Sequence, residues 1–77
     1  MTTEKTVKTI LEEKGFTVTN KKQKLKDDLG IDSLDLIELI IELEKEINID
    51  LGVDFEDKIG NMTIEELVVE IEKIKKA

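Results

Sequence analysis

Ser33 is the one residue of this chain for which a chemical role can be built. It sits in Asp27-Asp28-Leu29-Gly30-Ile31-Asp32-Ser33-Leu34-Asp35-Leu36-Ile37-Glu38-Leu39, where a turn-forming glycine leads into an acidic and apolar helix. As a nucleophile the serine has no base, because a carboxylate with an ordinary pKa of about 4 is poorly matched to deprotonating a hydroxyl. The chain has no His and no Cys. Neither a Ser-His-Asp nor a Cys-His site can therefore be assembled, and the usual zinc ligand sets are missing. A Ser-Lys pair would need a lysine close to Ser33, and none lies within several residues. No residue is assigned a catalytic role, no metal site is assigned, and the chain is expected not to be an enzyme.

Two other roles fit the serine. As a helix cap, Asp-Ser is ordinary, since side-chain oxygens of both types satisfy the free N–H groups of a first turn. The hydroxyl could also be the attachment point for a group that some other enzyme transfers. A phosphate ester there would sit at a helix N-terminus, where the macrodipole and free N–H groups favour negative charge and partly offset repulsion from Asp32 and Asp35. Gly30 would leave a large modifying enzyme room to approach the backbone.

The elements that position Ser33 follow from apolar periodicity. Thr3 is a plausible N-cap for a first helix whose stripe is Val7, Ile10 and Leu11, and Lys14-Gly15 ends it. Residues 16 to about 31 read as a long connection held down by Phe16, Val18, Leu25 and Leu29, with Lys21, Lys22, Lys24 and Lys26 as a solvated charge run. A second helix starts near Ser33 and runs to about Ile47. On it Leu36, Leu39, Ile40, Leu43 and Ile47 share the core face. The opposite face carries Leu34, Glu38, Ile41 and Lys45, flanked by Asp35 and Glu42, so Leu34 and Ile41 look like sockets for a partner. After a linker centred on Gly52, Asp54 can cap a short helix, Phe55-Glu56-Asp57-Lys58-Ile59, which Gly60-Asn61 closes. Thr63-Ile64-Glu65-Glu66 is a capping box for the last helix, with Met62 at staple distance from Leu67. Leu67, Val68, Ile71 and Ile74 supply its core stripe, and Lys73, Lys75 and Lys76 suit the dipole at its end. The expected architecture is an all-α bundle of three main helices and one short one, in a single domain spanning residues 1–77.

Charge narrows the partners. The net charge is −7, and it is unevenly spread: +4 over residues 1–26, −10 over 27–59 and −1 over 60–77. Nucleic acid would be repelled by the acidic middle, whereas proteins with basic patches would be attracted and oriented. No apolar run approaches the roughly 18–20 residues of a membrane span, and no signal peptide is found. The opening Met1-Thr2-Thr3-Glu4-Lys5 reads as the native start of a cytoplasmic protein, with no stable membrane association expected.

Asp28-Leu29-Gly30-Ile31-Asp32-Ser33-Leu34-Asp35, followed by Ile37-Glu38-Leu39, resembles the prosthetic-group site of acyl carrier proteins, of the stand-alone, fatty acid type. The Leu43-Glu44-Lys45-Glu46 turn, the short helix ending Asp57-Lys58-Ile59 and the capped last helix extend the resemblance over nearly the whole chain. It implies that Ser33 receives 4′-phosphopantetheine from coenzyme A through a phosphopantetheinyl transferase, and that the arm's thiol holds acyl groups as thioesters. The carrier would deliver them to fatty acid or related polyketide-type biosynthetic enzymes. Leu39, Leu43, Ile59 and Leu67 could line a shelter for the acyl chain. The family's partner surface maps onto Asp32, Leu34, Asp35, Glu38, Ile41 and Glu42, where acyl-transferring and chain-elongating enzymes with basic patches would dock on a monomeric carrier. This chain departs from the family at Lys45, a position usually acidic, at Gly52, where proline is common, and in an apparent insertion at Gly60-Asn61.

Two other readings compete. An unmodified acidic adaptor would hold a basic helix on the same Leu34/Ile41 line, and would not need Ser33. A calcium sensor is suggested by Asp27, Asp28, Asp32 and Asp35, but the register lacks an EF-hand's alternating acids and the glutamate at its twelfth position. Weak divalent binding by the cluster is the residual expectation.

Overall fold

Thr2, and not Thr3, caps the first helix. Its side chain accepts a hydrogen bond from the N–H of Lys5 at 3.1 Å, and α1 (Thr3–Glu13) follows. Thr3 is instead buried, hydrogen-bonded through its hydroxyl to Glu72 and accepting from Lys75 Nζ at 3.2 Å. The computed structural model describes residues 2–52 and 54–76, with α2 (Ser33–Ile47), α3 (Phe55–Ile59) and α4 (Ile64–Lys76) completing the order. The reading of Met1 as a native start, and the side chain of Lys76, fall outside what is described.

The chain is all-α as expected: among the described residues the only β feature is one isolated bridge, Lys24 to Thr63. α1 packs on α4 and on α2, and α2 packs on α3. Val7, Ile10 and Leu11 of α1, Leu36, Leu39 and Leu43 of α2, Phe55 and Ile59 of α3, and Ile64, Leu67 and Ile71 of α4 meet in one core. Each burial removes apolar surface from water, at roughly 25 cal/mol per Å². No described helix is long and apolar enough to cross a membrane.

The long connection is held by more than its apolar anchors. Leu25 is fully buried, and its N–H donates to the carbonyl of Met62 at 3.1 Å. The N–H groups of Ile64 and Glu65, two of the donors that open α4, reach the carbonyls of Gln23 and Lys21 at 3.0 and 2.9 Å. Thr63 and Glu66 supply the rest of that cap in reciprocal bonds of 2.9 and 3.1 Å. A helix start otherwise short of partners is thus sewn to the loop. The lysines of the charge run are exposed as expected, and Lys21 and Lys22 also pair with Glu65, at 3.4 and 2.8 Å.

At the ends of α3 one expectation fails and one holds. Asp54 makes no side-chain cap to α3. Gly60, which follows α3, keeps right-handed helical geometry and is buried, with the stem of Lys26 lying where a Cβ would project. Glycine serves there to make room and not to reverse the chain. Asn48 takes the left-handed turn after α2, at φ 60°, the conformation that most often ends helices at Gly or Asn.

Candidate functional site

Asp32 does the capping at the start of α2, which frees its neighbour. The Asp32 backbone is extended, its Oδ1 accepts from the N–H of Asp35 at 2.9 Å, and its carbonyl accepts from the N–H of Leu36 at 2.9 Å. Ser33 is the first residue of the helix proper, and its side chain is exposed. Among the described residues no hydrogen bond engages its hydroxyl, and the N–H groups of Ser33 and Leu34 find no protein acceptor. An unengaged hydroxyl therefore stands beside unpaired donors at the positive end of a 15-residue helix.

Burial on both sides fixes the outward direction of Ser33. Ile31 and Leu36 are buried in the core, two residues before it and three after. Upstream, the N–H of Ile31 donates to the carbonyl of Leu25 and that of Gly30 to the carbonyl of Lys26, both at 3.1 Å, folding residues 24–31 into a tight turn. Gly30 lies at φ +74°, a conformation that suits glycine, and a Cβ built there would meet nothing within 4 Å. Space beside Gly30 is therefore open, and Ser33 is exposed three residues further on.

The acids around the serine do not gather in threes. Asp28 Oδ2 accepts from the N–H of Lys24 at 2.7 Å, and Asp32 is committed to its cap. Among the described residues no three His, Cys, Asp or Glu side chains come together as a metal site. The cluster Asp27, Asp28, Asp32 and Asp35 is thus a run in sequence and not a coordination set in space. Loss of hydration holds the Asp35 carboxyl above its ordinary value, with the charges of Asp32 and Glu38 adding to the effect and Lys14 opposing it.

The exposed face of α2 is that of the helical-wheel expectation, with one addition. Leu34 is 72% exposed, Ile41 49% and Ile37 40%. Ile37 follows Leu34 by three and precedes Ile41 by four, so the spacing already placed it with them. Asp32 and Glu38 are exposed beside this line, and Asp35 and Glu42 are half-buried on the flank. Glu42 shares a shallow recess with Ile10, Glu13 and Lys14 of α1. Leu39, Leu43, Ile59 and Leu67, the candidate lining of an acyl shelter, are fully buried in the core.

Comparison with known proteins bears on the same stretch. Residues 5–71 match the family described as a phosphopantetheine attachment site. The chain is 49% identical over 39 residues to the acyl carrier proteins of Chlorobium phaeovibrioides and Chlorobium luteolum, a match covering 51% of this chain and 50% of each relative. It thus spans about half the length of those two relatives. Identity to the acyl carrier protein of Phytoplasma australiense is 42% over 53 residues, 68% of this chain and 66% of that protein. No solved structure matches the chain.

Proposed function

Because the chain belongs to the acyl carrier protein family, which bears 4′-phosphopantetheine covalently, we propose that Ser33 is the attachment point and that the molecule shuttles acyl groups between enzymes without catalysing their reactions. Residues 1–77 are taken as one such carrier domain. The observation that carries this reading is the division of labour at the helix start: Asp32 caps, and Ser33 is left exposed with an unengaged hydroxyl.

The site fits the group. The Ser33 oxygen would form a phosphoester with the pantetheine half of coenzyme A while the nucleotide half leaves, and the serine proton goes to a base of the transferase, since this chain offers none. The unpaired N–H groups of Ser33 and Leu34 would face the phosphate, and the space beside Gly30 is open. The arm supplies the thiol that this cysteine-free chain lacks. Phosphopantetheinyl transferase and acyl-transferring or elongating enzymes of fatty acid or polyketide type are the proposed partners. They would dock basic patches on Asp32, Leu34, Asp35, Glu38, Ile41 and Glu42, transiently and with salt sensitivity.

Incubation with coenzyme A and a broad-specificity transferase should add one phosphopantetheine mass to the wild type and none to Ser33→Ala, with helical circular dichroism unchanged. Addition to Ser33→Ala, or none to the wild type with several active transferases, would overturn the assignment. Retention of partner binding by Ser33→Ala, in a wild type that is never modified, would favour the adaptor.

A further inference from the structure

Resting on the docking face just described, we propose that α2 presents an ordered pair of charges, acidic at the Ser33 end and cationic at Lys45. The partner is then a protein helix with the reverse order: basic groups near Ser33 and a carboxylate facing Lys45.

Leu34, Glu38, Ile41 and Lys45 recur at spacings of four, three and four, which puts them on one line of the helix. At 1.5 Å per residue, Lys45 lies roughly 10 Å beyond Glu38 and about 18 Å beyond Ser33. Of the acids in the C-terminal half of α2, Glu42 flanks this line, while Glu44 and Glu46 lie about 100° to either side of Lys45. Glu42 lines the recess with Ile10, Glu13 and Lys14 of α1. Glu44 Oε2 accepts from the N–H of Leu51 at 3.0 Å. Glu46 lines a recess with Thr3, Thr6 and Lys75. Lys45 is exposed, and among the described residues no ion pair engages it. Beyond Glu38 the line itself carries only Ile41 and a positive charge, with the half-buried Glu42 on its flank.

The separation lets the two ends act apart. The screening length is about 8 Å at physiological salt, so a basic group seated against Asp35 and Glu38 feels little of Lys45, and a second group opposite Lys45 senses it together with Glu42 on the flank. A partner that is basic throughout would meet repulsion at this end, which makes Lys45 a determinant of orientation and choice. Lys45 also lies in the last turn of α2, where it complements the helix dipole. That role affects stability and is indifferent to the sign of a partner's charge.

The test uses two synthetic helical peptides of about 20 residues, long enough to hold a helix. Both carry the same leucine stripe and the same arginines at one end, and they differ in a single residue three turns further on, Glu in one and Arg in the other. Each is titrated by fluorescence anisotropy against the full chain, Lys45→Gln and Lys45→Glu. The wild type should bind the Glu-bearing peptide about twofold to fivefold more tightly, the range of an exposed ion pair. Lys45→Gln should erase that preference, Lys45→Glu should reverse it, and added salt should weaken it. A preference unchanged in Lys45→Glu, a wild type favouring the Arg-bearing peptide, or no measurable binding of either peptide would overturn the proposal. The mass gained at Ser33 with coenzyme A and transferase reads the carrier role separately, so failure of one does not imitate failure of the other.

Discussion

Asp32 and Ser33 are adjacent, yet truncating them should have different consequences. Asp32→Ala removes the oxygen that accepts from Asp35, and loss of such a cap costs about 1 kcal/mol. In a domain of this size that lowers the melting temperature by roughly 4–8 °C. Ser33→Ala should leave melting nearly unchanged, since its hydroxyl engages nothing among the described residues and surface changes of that kind stay within about 0.5 kcal/mol. Both residue types cap well, so the sequence could not decide between them. The decision lies in the extended backbone at Asp32, which buried Ile31 and Leu36 impose from either side. The glycines give a second contrast that runs against the space around them. Gly30→Ala has open space but a backbone at φ +74°, and should destabilise by roughly 1–2 kcal/mol. Gly60→Ala would put its Cβ 3.1 Å from Lys26 Cε. That is the end of a flexible exposed side chain, and the backbone is already helical, so relief of unfolded-chain entropy should make the change neutral or stabilising by up to about 1 kcal/mol. Thermal melts of the four variants check both contrasts.

At the scale of elements, the apolar stripes of α1, α2 and α4 were readable because a 3.6-residue period repeats within each helix. The seam between the loop and α4 was not, because backbone bonds from Ile64 to Gln23 and from Glu65 to Lys21 join residues some forty positions apart and leave no local pattern. That seam and the start of α2 should respond to pH with opposite signs. Hydrogen bonding from Lys22, then Lys21, lowers the Glu65 carboxyl below its ordinary 4.5. Its contribution is present above that value and is lost as pH falls through the lowered pKa. Asp35 is raised above its ordinary 3.8, first by lost hydration and then by Asp32 and Glu38. Its ionised form therefore weighs against the fold at neutral pH, and the burden is gone below 3.8. Glu65→Gln should melt below the wild type at pH 7 and Asp35→Asn above it, with both differences closing as the buffer is taken to about pH 3. Parallel melts at several pH values test the signs, and a Glu65→Gln deficit that persists at pH 3 would show packing, not charge, to be responsible.

Over the whole molecule, repulsion within the acidic middle outweighs the few exposed pairs that salt would weaken. Residues 27–59 carry −10, in a body measuring only 30 × 25 × 19 Å, whereas the four ion pairs among the described residues are surface pairs, worth about 0–1 kcal/mol each. The screening length falls from about 10 Å at 0.1 M to about 3 Å at 1 M. Screening should then relieve more repulsion than it removes attraction, and the melting temperature should rise with NaCl at neutral pH. Magnesium distinguishes diffuse relief from a site. Coordination that binds only the folded chain adds about 2.7 kcal/mol at a hundred times its dissociation constant, and the increment shows at millimolar concentrations where ionic strength hardly changes. Because no three of the carboxylates near Ser33 come together among the described residues, MgCl2 should raise the melting temperature no further than NaCl of equal ionic strength. A separate increment at millimolar Mg2+, removed by Asp28→Asn or Asp35→Asn, would mean that these side chains gather around an ion after all.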